Sequence, residues 1–202
     1  MKRVLRDPCR LMVCSLLMFV LLPQSAIAAK IGSVELAETA TLDGKDLVLN
    51  GVGMRKATIL AVKVYAMGLY LEEQSQDADA IIDSRGTKRI VMHFVRNVGA
   101  DKLRNGWQEG FEKNYPNVAG IKKEIDAFKT SMIDVKKGQR IVLDFVGDRV
   151  DVSYDDDLKT SIEGESFQRA LLAIWLGPKP PNKSLKRGVL GTKRKSRTNR
   201  RG

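Results

Sequence analysis

Ala-Thr-Ile-Leu-Ala-Val-Lys-Val-Tyr-Ala-Met-Gly-Leu-Tyr-Leu, residues 57–71, is the stretch on which the prediction of the fold depends. Its apolar residues occupy both alternating faces, which is typical of a strand covered on both sides, although periodicity alone also allows a buried helix. The β-branched and aromatic residues, with Gly68 inside the run, favour strands that contain a bulge or a bend. The stretch therefore predicts the buried centre of a sheet.

The segments on either side of this stretch alternate between hairpin and helix patterns. Asp43-Gly44 interrupts the short apolar runs of residues 34–49, and Gly147-Asp148 joins two alternating runs, so each pair predicts a hairpin turn. The further elements predicted are a strand at 89–96, a short helix at 77–84, and amphipathic helices over 103–115, 121–132 and 167–176, the last ending at Gly177. Hairpins combined with helices predict an α+β fold in which helices pack on a largely antiparallel sheet.

The N-terminus has the pattern of a secretory signal peptide. Four basic residues among the first ten precede an apolar run at 11–22, and Ala26-Ile27-Ala28 supplies small residues before a cleavage point. The run is shorter than the ~20 residues of a membrane-spanning helix, which disfavours the alternative of an anchor. We therefore predict that residues 1–28 are cleaved and that the protein is secreted across the inner membrane into the periplasm. Both cysteines, Cys9 and Cys14, lie in this segment, so the mature chain has no disulfide and no thiol nucleophile.

The net charge of +11 is concentrated at the two ends of the chain. The signal segment contributes +3 and residues 192–202 contribute +6, which leaves +2 for the body at 29–191. The basic residues of the tail are Lys193, Arg194, Lys195, Arg197, Arg200 and Arg201. A segment with almost no apolar residues predicts disorder, and contact with an anionic surface is the alternative that its charge leaves open.

Few residues of the mature chain offer catalytic chemistry. The sequence has no phosphate-binding loop, no dinucleotide fingerprint and no Gly-x-Ser-x-Gly elbow. Its one histidine, His93, has the opposite strand parity from Met92 and Phe94, which predicts a position on the second face of the sheet rather than a catalytic role. Residues 155–157 are all aspartate, and they favour a charged turn over a cation site because the spaced oxygen ligands of a calcium loop are missing. No metal or cofactor is predicted.

Arg55 and Tyr65 stand out because both lie in the most hydrophobic part of the body. A guanidinium close to a core needs an anionic or carbonyl partner, since an unpaired buried charge is costly. An arginine beside a tyrosine hydroxyl forms a suitable fork for a carboxylate or an oxyanion. The alternative is that Arg55 lies at the surface and pairs with an acidic side chain.

The same residues carry a resemblance to a known family. Gly51-x-Gly53-x-Arg55, followed by residues 63–72, resembles the opening motif of the chalcone isomerase fold. Further pieces at 107–111, 137–139 and 167–177 resemble the exported bacterial chalcone isomerase-like proteins, and the likeness covers about residues 31–191. The resemblance implies an open-faced β-sandwich, whose large antiparallel sheet and layer of helices enclose an apolar ligand cleft.

The family includes isomerases that close a chalcone to a flavanone, and noncatalytic members that bind fatty acids. Arg55 matches the isomerases' arginine, but Tyr65 stands at their threonine, and Lys102, Gln108, Glu109 and Ile174 stand near their other polar catalytic positions. The resemblance therefore implies a noncatalytic binder of a fatty acid or similar amphipathic carboxylate, held by Arg55 and Tyr65. The alternative is an isomerase or intramolecular lyase acting on an unknown substrate, with Arg55 stabilising an oxyanion. No specific nucleic-acid partner is predicted.

Overall fold

The computed structural model describes residues 28–57 and 60–192. The strands in these ranges are β1 (Ala28–Ile31), β2 (Val34–Ala37), β3 (Thr39–Leu42), β4 (Lys45–Ala57), β5 (Val62–Leu71), β6 (Lys88–Phe94), β7 (Arg140–Val146), β8 (Arg149–Tyr154) and β9 (Asp157–Glu163). The helices are α1 (Ala78–Asp83), α2 (Ala100–Asn114), α3 (Lys122–Thr130), α4 (Glu165–Leu176) and α5 (Lys183–Val189), with a 3-10 turn (Val118–Ile121) before α3. The signal segment at 1–27 and the basic tail at 193–202 lie outside the described residues.

Strands β3 to β9 form one antiparallel sheet in which the spatial order follows the sequence order. Because neighbouring strands follow each other in the sequence, each pair is joined either by a hairpin turn or by a connection that contains helices. Helices α2, α3, α4 and α5 supply the buried side chains that cover this face, while the β1–β2 hairpin contributes to a second cluster on the opposite face. The predicted α+β class, with a large antiparallel sheet and a layer of helices, is confirmed.

Residues 62–71 of the quoted stretch form β5, and its second half, from Ala66 to Leu71, is covered on both faces as predicted. The first half is not covered, because Leu60 and Lys63 are exposed. Met67 and Leu69 face the helix layer, whereas Ala66 and Tyr70 belong to the second cluster. The Tyr70 hydroxyl donates a hydrogen bond to the carbonyl of Ala37 at 2.9 Å. The pairing register runs without a break through Gly68. It shifts at two bulges, where Asn50 of β4 and Val64 of β5 are the unpaired residues, so the predicted bulge lies in the stretch but not at Gly68.

Aromatic rings from three helices fill the space beneath the helix layer. Trp107 of α2 packs edge-on against Phe128 of α3 and Trp175 of α4, with ring centroids 5.0 and 5.4 Å apart. Phe111 and Phe167 extend this cluster at centroid distances of 5.7 to 6.2 Å from their neighbours. The predicted helical stripes therefore meet in one core, at the separations that aromatic pairs prefer.

Helix α5 packs directly on the backbone of β4 because both elements carry glycine at the contact. A Cβ atom on Gly51 would lie 2.2 Å from the carbonyl oxygen of Gly188, and a Cβ on Gly53 would lie 2.5 Å from Leu185 Cδ1. A Cβ on Gly188 would lie 2.3 Å from the carbonyl oxygen of Val52. The Gly-x-Gly part of the motif therefore serves the close approach of α5 to the sheet.

The local signals for turns and helix ends are confirmed. Asp43 and Gly44 both have positive φ angles between β3 and β4, as does Gly147 between β7 and β8. Asp77 caps α1 by accepting hydrogen bonds from the backbone N–H groups of Asp79 and Ala80. In the ranges that the structure covers, no helix combines the length and hydrophobicity needed to cross a bilayer.

Candidate functional site

Arg55 and Tyr65 lie directly opposite each other on β4 and β5. Residues that face each other across an antiparallel pair project from the same side of the sheet. Tyr65 packs against the main core, so this side is the one covered by helices. The structure thus brings together the two residues that the sequence singled out.

The Tyr65 hydroxyl is buried and held by Trp175. The indole Nε1–H of Trp175 donates a hydrogen bond to the Tyr65 oxygen at 3.0 Å, and the Tyr65 ring lies 5.4 Å from that of Phe94. Burial raises the pKa of Tyr65, although the Trp175 hydrogen bond and the nearby Arg55 charge oppose this rise. The hydroxyl therefore keeps its proton at neutral pH. Because Trp175 is the donor in their bond, that proton remains available for an acceptor.

The Arg55 guanidinium is half-buried, and its hydrogen-bond partners are neutral. Its Nη1 donates to the Asn182 side-chain oxygen at 3.3 Å and to the Lys56 carbonyl. The same Asn182 oxygen accepts a hydrogen bond from the Lys56 backbone N–H at 2.8 Å. Across residues 28–57 and 60–192, none of the ion pairs includes Arg55, so the alternative of a surface ion pair does not describe its environment.

Glu109, a carboxylate whose pKa Arg55 influences, is already paired. Glu109 of α2 bonds to Lys113, and this bond is the main reason that the pKa of Glu109 lies below its usual value, with a smaller contribution from Arg55. Within the described residues, the hydrogen-bond partners of the Arg55 guanidinium are therefore neutral, and the Tyr65 hydroxyl opposite it has a proton to donate. This arrangement is complementary to a carboxylate or a developing oxyanion.

The apolar cleft implied by the resemblance is closed beside this pair. Phe94 and Trp175 pack against Tyr65, and Trp107 packs against Trp175 on the far side. Two surface cavities lie elsewhere, one between α1 and the start of α4 and one on the first turns of α3. A ligand with an acyl chain would therefore have to separate these rings.

The residues near the isomerases' other polar positions do not contact Arg55 or Tyr65 through the bonds that the structure describes. Lys102 is exposed, Gln108 bonds to Glu112 and Lys129, and Ile174 is buried against α2. A Cβ on Gly110 would lie 2.9 Å from Ile174 Cγ2, so the two helices cross closely at this point. None of these contacts places a second catalytic group beside Arg55.

The other titratable residues named from the sequence lie on the second face. His93 pairs with Arg140 across β6 and β7, and burial together with the Arg140 charge lowers the pKa of His93. Asp155 begins the turn between β8 and β9 and accepts a hydrogen bond from the Arg140 backbone N–H at 3.0 Å. The predicted charged turn is confirmed. Within the described part of the chain, no group of three or more His, Cys, Asp or Glu could hold a metal ion.

Sequence reasoning missed three residues that matter in the structure. The sequence places Trp175 in a helical stripe and in the motif at 167–177 but does not predict its bond to Tyr65. Asn182, which joins α5 to Arg55 and Lys56, has no signal in the sequence. Lys88 shares the strand parity of Ile90, Met92 and Phe94, and this parity could have indicated its burial.

Comparison with known proteins places this geometry in a family. The model of the chalcone isomerase-like family matches residues 28–191. Among solved structures, the fatty-acid binding protein of Arabidopsis thaliana is similar with a TM-score of 0.61 and 17% sequence identity, over 76% of this chain and 96% of that one. Comparison with curated proteins gives no match. The family match covers most of the chain, and the likeness in structure shows the same fold, so the chain belongs to the chalcone isomerase-like family.

Proposed function

We propose that this protein binds a fatty acid or a similar amphipathic carboxylate without catalysing its conversion. The observation that carries the proposal is the pair of hydrogen-bond donors, Arg55 and Tyr65, on the helix-covered face, where no carboxylate of the residues that the structure describes bonds to Arg55. The name of the structurally similar Arabidopsis thaliana protein supports a binding role, because that protein is a fatty-acid binding protein.

The head group would bind between the two side chains. Arg55 offers a planar fork to both carboxylate oxygens, and Tyr65 adds the hydroxyl proton that Trp175 leaves free. Hydrogen bonds to a charged group contribute about 1.5–3 kcal/mol each. The Asn182 contact would hold the guanidinium in place before the ligand arrives.

The acyl chain would lie between the sheet and the helix layer, against the rings of Phe94, Trp107 and Trp175. Each methylene removed from water contributes about 0.8 kcal/mol. Part of this gain offsets the separation of rings that pack against each other in the structure. We therefore expect affinity to rise with chain length only beyond the length needed to separate the rings.

We also propose that binding takes place in the periplasm, after removal of residues 1–28. The signal-peptide pattern motivates this step. Cell fractionation should place the protein in the periplasmic fraction, and intact-mass measurement should give the mass of a chain that begins at Ala29. Recovery of the unprocessed chain in the cytoplasm would contradict it.

The ligand is tested on protein purified without detergent. Native mass spectrometry should show a co-purifying acyl ligand, and calorimetry with palmitate should give saturable binding to delipidated protein. Arg55→Gln should weaken palmitate binding about 10- to 100-fold, because it removes charged hydrogen bonds. Tyr65→Phe should weaken it about tenfold, while Tyr70→Phe, which removes a buried hydroxyl on the opposite face, should leave affinity unchanged.

The two tryptophans give an independent readout. Both line the proposed acyl site, so palmitate should change the intrinsic fluorescence of the protein with the same midpoint as the calorimetric titration. Protein that carries no acyl ligand and shows no heat with palmitate would refute the proposal. Equal losses of palmitate affinity in Tyr65→Phe and Tyr70→Phe would contradict the assignment of the head-group site to Arg55 and Tyr65.

Catalysis receives less support from the same geometry. The raised pKa of Tyr65 makes its hydroxyl a weak acid, although it remains a good hydrogen-bond donor. Incubation with chalcones and related Michael-type substrates should therefore give no turnover above that of an Arg55→Ala control. Turnover that Arg55→Ala abolishes would support the isomerase alternative instead.

A further inference from the structure

The large apolar side chains that are exposed in the described part of the chain all lie at one end of the main sheet. They are Leu60, Leu158 and Ile133, with 85%, 60% and 45% of their surface exposed. Leu60 lies between β4 and β5, Leu158 is the second residue of β9, and the Ile133 backbone bonds to the hydroxyl of Tyr154, the last residue of β8. In an antiparallel sheet of sequential strands, these positions share one end, which we call the tip end.

Two lysines at the tip end face each other without an acidic partner. Lys56 and Lys63 are directly opposite on β4 and β5, and both are exposed. Like charges in this arrangement destabilise a strand pair. Residues 47–71 contain Arg55, Lys56 and Lys63 but no Asp or Glu, so the hairpin supplies no compensation of its own. Among the described residues, no ion pair includes either lysine.

An exposed leucine between two uncompensated lysines has the chemistry of a contact with a lipid surface. Apolar side chains enter the boundary between head groups and acyl chains, while lysines at the same depth contact anionic head groups. The β8–β9 turn at the same end carries Asp155, Asp156 and Asp157, but β6 and β7 separate it from the β4–β5 hairpin. We propose that the β4–β5 corner of the tip end docks on an anionic phospholipid membrane, with Leu60 inserted and with Lys56 and Lys63 against the lipid phosphates. The repulsion between the two lysines, unfavourable in the free protein, is relieved by the negative surface.

Docking at this end would bring the proposed ligand site to the membrane. Arg55 precedes Lys56 in the chain, and Tyr65 lies two residues after Lys63, on the same hairpin. An amphipathic carboxylate that leaves the bilayer would reach the Arg55–Tyr65 pair from the tip end. This part of the inference rests on the proposed function, whereas docking itself rests on the exposed residues alone.

The test is flotation of the protein with vesicles of phosphatidylglycerol and phosphatidylcholine in equal parts, and with vesicles of phosphatidylcholine alone. Wild type should float with the first and much less with the second. Leu60→Ser should lower the partition coefficient about tenfold, as expected for loss of one buried leucine. The double substitution Lys56→Glu/Lys63→Glu should lower it more than tenfold on the anionic vesicles and little on the neutral ones.

Matched variants separate the tip end from the rest of the charge. Lys122→Glu/Lys123→Glu makes the same charge change in the first turn of α3, where Glu124 lies beside Gly164 at the other end of β9 from Leu158, and it should float like wild type. A full chain with glutamine at the six basic tail positions should keep most of its binding. All variants share one N-terminus, so any contribution of residues 1–28 is common to them.

The outcomes of this experiment distinguish docking from ligand binding. Leu60→Ser should keep the palmitate affinity of wild type in solution, and Arg55→Gln should lose palmitate yet still float. Absence of wild-type flotation, complete loss on neutralising the tail, or an unchanged Lys56→Glu/Lys63→Glu variant would overturn the proposal. A partition coefficient that is unchanged in Leu60→Ser would do so as well.

Discussion

Alanine in place of Gly51 is expected to lower the free energy of unfolding by about 3 kcal/mol or more, at the upper end of overpacking costs. The new Cβ would lie 2.2 Å from the carbonyl oxygen of Gly188 and 2.8 Å from that of Val189. Both obstructing atoms belong to the backbone of α5, so no rotation of a side chain relieves the clash. The substitution therefore acts on the placement of a whole helix.

The chain can respond to this clash by straining the contact or by releasing α5. Release would expose Leu185, Val189 and Leu190, which are all buried, at about 1.5–3 kcal/mol each. It would also break the hydrogen bond from the Asn50 side chain to the carbonyl of Val189 at 2.8 Å. Since strain is the cheaper response, we expect α5 to remain docked but displaced. Asn182 at its N-terminus would then move away from Arg55, so palmitate affinity should fall together with stability.

Gly106 provides the matched control for this prediction. It lies exposed in α2, and a Cβ built on it meets nothing within 4 Å. Gly106→Ala should therefore raise the free energy of unfolding by about 1 kcal/mol, because alanine favours the helix over glycine. Urea denaturation of both variants measures the difference. Similar shifts in the same direction would show that the close approach of α5 to β4 is not the cause.

The parts of the fold that sequence reasoning predicted are those with local signals. Asp43-Gly44 and Gly147-Asp148 determine turns by their own backbone preferences, and the stripe of Trp107 and Phe111 follows helical spacing. Gly177 ends α4 at the predicted position. These signals depend on a few neighbouring residues, so they could be read without knowledge of the tertiary structure.

The elements that were missed depend on distant contacts. Helix α5 is short and contains Gly188, a poor helix former, and it is stabilised by its fit against Val52 and Gly53 of β4. Strand β9 shows no apolar alternation because only Ile162 of its residues is buried. The pairing of Arg55 with Tyr65 likewise depends on the register of β4 and β5, which shifts beside this pair because Val64 of β5 is an unpaired bulge residue.

The second large effect concerns Lys88, whose side chain is 2% exposed at the start of β6. Its ammonium donates hydrogen bonds to the carbonyls of Ser84 and Gly86 at 2.7 and 2.8 Å, but burial lowers the pKa of Lys88 from 10.5 to about 8, opposed in part by Glu72. Between these values the folded protein has released the proton and the unfolded chain still holds it. The free energy of unfolding should therefore rise as the pH increases through this window. This gain is lost when the pH falls back through 8, because Lys88 is then protonated in both states.

The full rise would be about 3 kcal/mol by the pKa difference, and we expect most of it between pH 8 and pH 10. Above pH 10 the trend should reverse, because burial raises the pKa values of Tyr65, Tyr70 and Tyr154 and the unfolded tyrosines then ionise first. Urea titrations at pH 7, 8, 9 and 10 measure the slope. Lys88→Met should abolish the rise, whereas Lys123→Met, at an exposed position on α3, should keep it. If Lys88→Met keeps the wild-type slope of the free energy of unfolding against pH, other groups cause the pH dependence. The Lys88 ammonium would then keep its proton between the carbonyls of Ser84 and Gly86 over this pH range.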